Sequence, residues 1–182
     1  MNNQIVYGGK SVYGADGIAT TCGFLSLIQD EISKACKVPV ASSSLMQYSA
    51  IKSILPPNKK VGILTISSEN LSRDHLASAA IPADVPIVGT DEGGFEFSRV
   101  VLNSENRLDV SAAEKDMIEA TKKLFKKDAD IGAILLECTS MDPYAETIRR
   151  ISRLPVFGMY NFICWFQSSL SPRSFLGPKT YR

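Results

Sequence analysis

The sequence predicts an α/β fold of two pseudo-symmetric three-layer lobes with mainly parallel sheets and a ligand cleft between them. Three observations predict it. Short β-branched or apolar runs alternate with segments of helical period, the signature of strand–helix–strand units and parallel sheet. A strand–cysteine–helix–strand unit occurs twice, 116 residues apart. In both copies the cysteine closes an apolar run, at the carboxyl end of a strand where open α/β sheets bind ligands.

Strands are expected at "GIATT", "VPVAS", "VGILTI", "VPIVGT", "IGAILLE" and "LPVFGM". Between the first two lies "FLSLIQDEISKA", whose Phe24, Leu25, Leu27, Ile28, Ile32 and Ala35 form one apolar stripe. "LMQYSAIKSIL" follows the second strand as a further helix. The segment "SAAEKDMIEATKKLFKK" reads as a long helix capped by Ser111, with Glu114 three residues later and lysines at its end, where the helix dipole favours them.

The repeat is found by sliding the chain on itself. Cys22 falls on Cys138, Ile32 on Ile148, Lys37 on Arg153, and "VPV" around Pro39 on "LPV" around Pro155. After these, "YNFICWFQSSL" stands where "LMQYSAIKSIL" stood. A boundary between lobes is expected at "LPPNKK", Leu55 to Lys60, where two prolines and a basic turn part a helix from a strand. Packing alone explains a duplicated fold. It does not explain a matched cysteine.

Composition narrows the ligand. The 182 residues include 45% hydrophobic and 21% charged side chains, and 20 basic against 19 acidic residues leave a net charge of +1. No broad electropositive face of the kind nucleic acid or anionic lipid requires is implied. No apolar run reaches the roughly 20 residues of a membrane span, and "MNNQIVYGGK" lacks the apolar centre of a signal peptide, so the cytoplasm is the expected compartment. Cys22, Cys36, Cys138 and Cys164 contain no C-x-x-C pair, which argues for free thiols rather than a zinc ribbon or a disulfide framework. Cys36, ending an amphipathic helix, and Cys164, in an aromatic one, are expected in the core.

A thiol just before a helix feels the positive end of the helix dipole and the unpaired amides there. Gly23 lets backbone approach a ligand. Thr139 and Ser140 offer hydroxyls and amides for a carboxylate, and Ser42, Ser43 and Ser44, at another strand end, are ligand donors or a helix cap. Two lobes presenting thiols to opposite faces of one small carboxylic acid suit stereoinversion. One cysteine, as thiolate, removes the α-proton, the other, as thiol, donates a proton from the far side, and neither cofactor nor metal is required. Strand-end amides and hydroxyls are the donors for the carbanionic intermediate.

Other schemes fail on inventory. His75 is the single histidine and reads as a surface helix residue; a multi-histidine metal site is excluded. A phosphatase loop needs arginine six residues after its cysteine, where this chain has Ile28 and Tyr144. "GGKS", Gly8 to Ser11, is not a phosphate loop, because Gln4 stands where the first glycine is required. "DEGGFEF", Asp91 to Phe97, is either a loop over the cleft or a plain connection.

"TTCGF" and "ECTSM", with "VPVASSSLMQ" and "VGILTIS" between them, resemble the aspartate/glutamate/hydantoin racemase superfamily, and the likeness runs from about Gly17 to Phe175. The resemblance implies a PLP-independent isomerase of two α/β lobes with Cys22 and Cys138 as alternating base and acid, and substrate contacts by Thr21, Gly23 and Thr139. It implies that the last strand and helix return to the first lobe, giving a first lobe of 1–58 plus 155–182 and a second of 59–154. Only 21 residues precede Cys22, so the family's first strand is expected to be missing. Amino-acid racemases of the family have asparagine and threonine after the first cysteine and glycine before the second; this chain has Gly23, Phe24 and Glu137, the last placed to tune the neighbouring thiol if buried.

The expected function is thus racemisation or epimerisation of an amino acid, related carboxylate or hydantoin. A one-cysteine isomerase or decarboxylase of a dicarboxylate is the alternative, and a non-catalytic ligand-binding or truncated remnant of the fold is a second. The expected partner is a small-molecule carboxylate, not nucleic acid or membrane, with homo-oligomerisation left open.

Overall fold

The apolar runs form two parallel sheets in the computed structural model, which describes residues 14–92 and 94–175. In the first, β1 (Ile18–Ala19) pairs with β2 (Val40–Ala41). In the second, β3 (Lys60–Thr65), β4 (Ile87–Gly89), β5 (Ile131–Leu136) and β6 (Val156–Phe157) lie in the order β4-β3-β5-β6, all parallel. "GGKS" and Gly93 of "DEGGFEF" lie outside the described residues.

The central strands β3 and β5 are covered on both faces, which is why they read as continuous apolar runs rather than alternating ones. On one face Leu64, Ile134 and Leu136 pack on Met117, Ala120 and Leu124 of the long helix. On the other, Val61, Ile63, Ala133 and Leu135 meet Ile51 and Leu76 from two shorter helices, completing three layers.

The long helix, Val110–Lys127, starts one residue before Ser111. Its cap is Asp109, whose Oδ1 accepts the amides of Ser111 and Ala112 at 2.9 and 3.0 Å. Ser111 is therefore already inside the first turn, and Glu114 accepts instead from Thr147 Oγ1 at 2.5 Å. Asp109→Ala is expected to lower stability by about 1 kcal/mol, read as a shift in the urea midpoint at unchanged slope.

"FLSLIQDEISKA" is divided: a 3-10 turn, Gly23–Ile28, precedes α1 (Gln29–Ala35), and no residue of α1 is fully buried. The first sheet has two short strands among the described residues, which gives this stripe little surface to cover.

The repeat survives at the level of register. Ile18 pairs with Val40 in β1 and β2, and 116 residues later Ile134 pairs with Val156 in β5 and β6. The amide of Ile18 reaches Pro39 O at 2.9 Å and that of Ile134 reaches Pro155 O at 3.0 Å. The turn Gly23–Ile28 maps onto the turn Thr139–Tyr144.

This symmetry corrects one expectation. The last strand does not return to the first lobe, because β6 stands to β5 as β2 stands to β1 and pairs beside its own cysteine strand. The helices that follow do exchange. α2 (Tyr48–Ile54), behind β2, buries Tyr48 and Ile51 against Val61, Ile63 and Leu135 of the second sheet. The last helix, Met159–Leu170, behind β6, buries Met159 and Phe162 against Ala41 of the first.

That same helix corrects the placement of Cys164. Its inward stripe runs through Met159, Phe162, Ile163 and Phe166, and Cys164 lies off it, exposed beside an exposed Trp165. Cys36 is half-buried rather than in the core. His75 sits on the short helix Arg73–Ser78, edge-on to Phe24 with ring centroids 5.2 Å apart, and burial lowers its pKa. No described helix is long and apolar enough to cross a membrane.

Candidate active site

Each matched cysteine is the extended residue between a parallel strand and a 3-10 turn. Cys22 has φ −127° and ψ 114°, and Cys138 has φ −95° and ψ 133°. Their carbonyls take the turns' first bonds, from the amides of Leu25 at 3.1 Å and Met141 at 3.0 Å. Neither side chain makes a capping hydrogen bond to its turn, although the amide and hydroxyl of Ser140 act on the Cys138 sulfur.

The two cysteine loops touch. Thr139 Oγ1 donates to the carbonyl of Thr21 at 2.5 Å, tying the residue after the second cysteine to the residue before the first. Ser44 Oγ, buried, lies 2.6 Å from Leu136 O and 3.0 Å from Glu137 O and shares its proton between them. Thr20 Oγ1 donates to Ser42 O. The carboxyl ends of β1, β2, β3 and β5 therefore converge on one place.

The pair is electrostatically unequal. Cys22 is exposed, whereas Cys138 is buried and its thiol is pushed up to about 11. Burial contributes most to that rise and the neighbouring Glu137 carboxylate next; the amide and hydroxyl of Ser140 oppose it, and Cys22 lies close enough to add to it. Glu137 is itself 1% exposed, and burial pushes its carboxyl up to about 7 against bonds from the Thr65 hydroxyl and the Ile66 amide. Thr65 Oγ1 donates to Glu137 Oε2 at 2.9 Å.

Gly23 is buried directly under this carboxyl. A Cβ there would lie 2.0 Å from Glu137 Oε1 and 2.4 Å from the Glu137 carbonyl oxygen, so lack of space, not backbone conformation, demands glycine. Asp142, on the second turn, fills the room left by Gly158 and accepts the amides of Tyr160, at 3.0 Å, and Met159. It thus supplies the last helix with the capping carboxylate that Gly158 cannot.

The other sequence-derived candidates divide. Thr21, Gly23, Thr139 and Ser140 gather at the cysteines, although Ser140 serves the Cys138 sulfur and Thr139 the loop contact. Ser42 and Ser43 are buried with structural partners, the Ser42 amide donating to Gln29 Oε1 of α1 at 3.1 Å and Ser43 Oγ accepting from the Leu45 amide at 3.2 Å. Sequence reasoning missed Thr65. Its signal was positional: Leu64 pairs with Leu136, so the next residues, Thr65 and Glu137, are the two polar side chains that end adjacent apolar strands.

The chain has the fold of the aspartate/glutamate/hydantoin racemase superfamily. It superposes on allantoin racemase from Pseudomonas fluorescens with a TM-score of 0.55 at 15% identity, covering 89% of this chain and 71% of that one. For unliganded arylmalonate decarboxylase the TM-score is 0.55 at 13% identity, covering 91% and 73%. Glutamate racemase from Francisella tularensis gives 0.51 at 17% identity, covering 88% and 61%. In sequence the chain is similar to dimethylsulfoniopropionate lyase 7 of Emiliania huxleyi (strain CCMP1516), 34% identical over 155 residues that cover 79% of this chain and 44% of that protein. The dimethylsulfoniopropionate lyase of Durusdinium sp. clade D is 28% identical over 151 residues, covering 79% and 49%. The chain thus spans less than half the length of these curated relatives. No family model matches it.

Proposed function

We propose that this chain removes the α-proton of a small carboxylate by cysteine acid–base chemistry, and that its reaction is β-elimination from a sulfonium-bearing substrate of the dimethylsulfoniopropionate type. One observation carries the proposal: the loops that bear two cysteines at equivalent strand ends touch, with one thiol open to solvent and the other buried. The similarity to lyases selects the substrate. Cys22, as thiolate, takes the proton from the carbon next to the carboxylate. The electron pair forms the carbon–carbon double bond, the β-carbon–sulfur bond breaks with its pair going to sulfur, and dimethyl sulfide and acrylate leave. Cys22 then returns its proton to solvent. A sulfonium leaves as a neutral sulfide and needs no acid, so one base suffices.

Racemisation is the second reading, favoured by the pseudo-symmetric pair: there Cys138 would deliver a proton to the face opposite Cys22. Proton NMR in D2O separates the two. With dimethylsulfoniopropionate, elimination yields acrylate and dimethyl sulfide; with amino acids, hydantoins or hydroxy acids, racemisation yields α-deuteration. If no substrate reacts or exchanges, and alkylating the cysteines leaves ligand binding unchanged, both enzymatic readings fail and a ligand-binding protein remains.

A further inference from the structure

We propose that Glu137 is the positioning residue of this site: wedged between Thr65 and Gly23, its carboxyl sets the spacing of the two cysteine loops and keeps Cys138 protonated, leaving Cys22 as the base of the pair. The inference rests on the cysteine reading above and adds to it a direction. Glu137 is attached to both halves of the cleft. Its backbone carbonyl receives Ser44 Oγ, its Oε2 receives Thr65 Oγ1, and its Oε1 occupies the space above Gly23, the residue after Cys22. A shift of this side chain therefore moves one cysteine loop relative to the other.

Its chemical effect follows from what faces it. The groups acting on Glu137 are the Thr65 hydroxyl and the Ile66 amide, with no cation among them. The groups acting on Cys138 are Glu137, Ser140 and Cys22. An uncompensated carboxylate beside a buried thiol opposes formation of a second negative charge. Cys138 thus holds its proton, and Cys22, open to solvent, is left to act as base. With a carboxylate beside Cys138, the two thiols cannot exchange roles equally.

The test is Glu137→Gln, which keeps the shape and can still accept from Thr65 but does not ionise. Iodoacetamide labelling at pH 9, mapped by peptide mass spectrometry, should find Cys138 alkylated roughly threefold to tenfold faster than in the wild type. The kcat/KM profile should lose a limb near neutral pH, with the loss in kcat exceeding any change in KM. Unchanged Cys138 labelling and an unchanged pH profile would overturn the proposal. Folding is checked separately: between pH 4.5 and about 7 the folded wild type holds on Glu137 a proton that the unfolded chain releases, so this contribution to stability falls as pH rises through that window and is missing from the Gln variant. Glu137→Asp supplies the second variant. It keeps the charge but shortens the wedge, and should slow turnover while leaving Cys138 labelling slow. If wild type shows no turnover, the cysteine reading fails on that result, and the labelling comparison still decides what Glu137 does to Cys138.

Discussion

If Cys22 is the base we propose, Cys22→Ser is expected to lower the rate of elimination or α-exchange by about 10³-fold, because an alcohol at this position is not ionised near neutral pH and the proton has no acceptor. Cys138→Ser has a different signature, and the difference identifies the reaction. In a lyase, where the sulfide departs without a proton, the variant retains a measurable fraction of elimination. In a racemase it loses inversion as completely as Cys22→Ser does, since each direction needs both groups. Steady-state rates of acrylate formation, alongside α-deuteration, measure both. Equal loss of elimination in the two variants would reject Cys22 as sole base, full activity in Cys22→Ser would reject Cys22 as the base, and full activity in both variants would reject cysteine chemistry altogether.

Much of this could be read from residues because the fold repeats itself. A strand buried on both faces must be a continuous apolar run, so "VGILTI" and "IGAILLE" declare the central strands without further context. A shared offset carries registration as well as identity, which is why Ile18 with Val40 and Ile134 with Val156 are the same pairing. Features set by tertiary contact were not readable. The stripe from Phe24 to Ala35 has helical period, yet gets a 3-10 turn and a thinly covered helix, because period records amphipathicity and not the surface available to bury it. Ser111 had the right residue type for a cap, but Asp109 reaches the same amides from two residues earlier. The partners of Thr65, Ser44 and Gln29 were not readable either, since each bonds to a segment other than its own: Thr65 and Ser44 to Glu137, and Gln29 to the end of β2. The matched cysteines marked the candidate site, and only the folded chain shows that their surroundings differ.

That inequality makes Gly23→Ala the most damaging single-methyl change at the site. The added Cβ meets Glu137 Oε1 at 2.0 Å and the Glu137 carbonyl oxygen at 2.4 Å, so both a side chain and a strand end must give way. Overpacking of this kind costs about 1–3 kcal/mol. The displaced loop is the one that carries Cys22, and a misplacement of about 1 Å costs on the order of 10²-fold in rate. Urea unfolding and kcat, measured on the same preparation, give the two effects separately. The double variant Gly23→Ala with Glu137→Gly removes the side-chain collision and leaves the one with the backbone oxygen. It should therefore recover part of the lost stability but not the full rate. A single variant as stable and active as wild type would show that the two loops are not held apart by this contact. Complete recovery in the double variant would assign the whole effect to the carboxyl and none to the strand end that bears it.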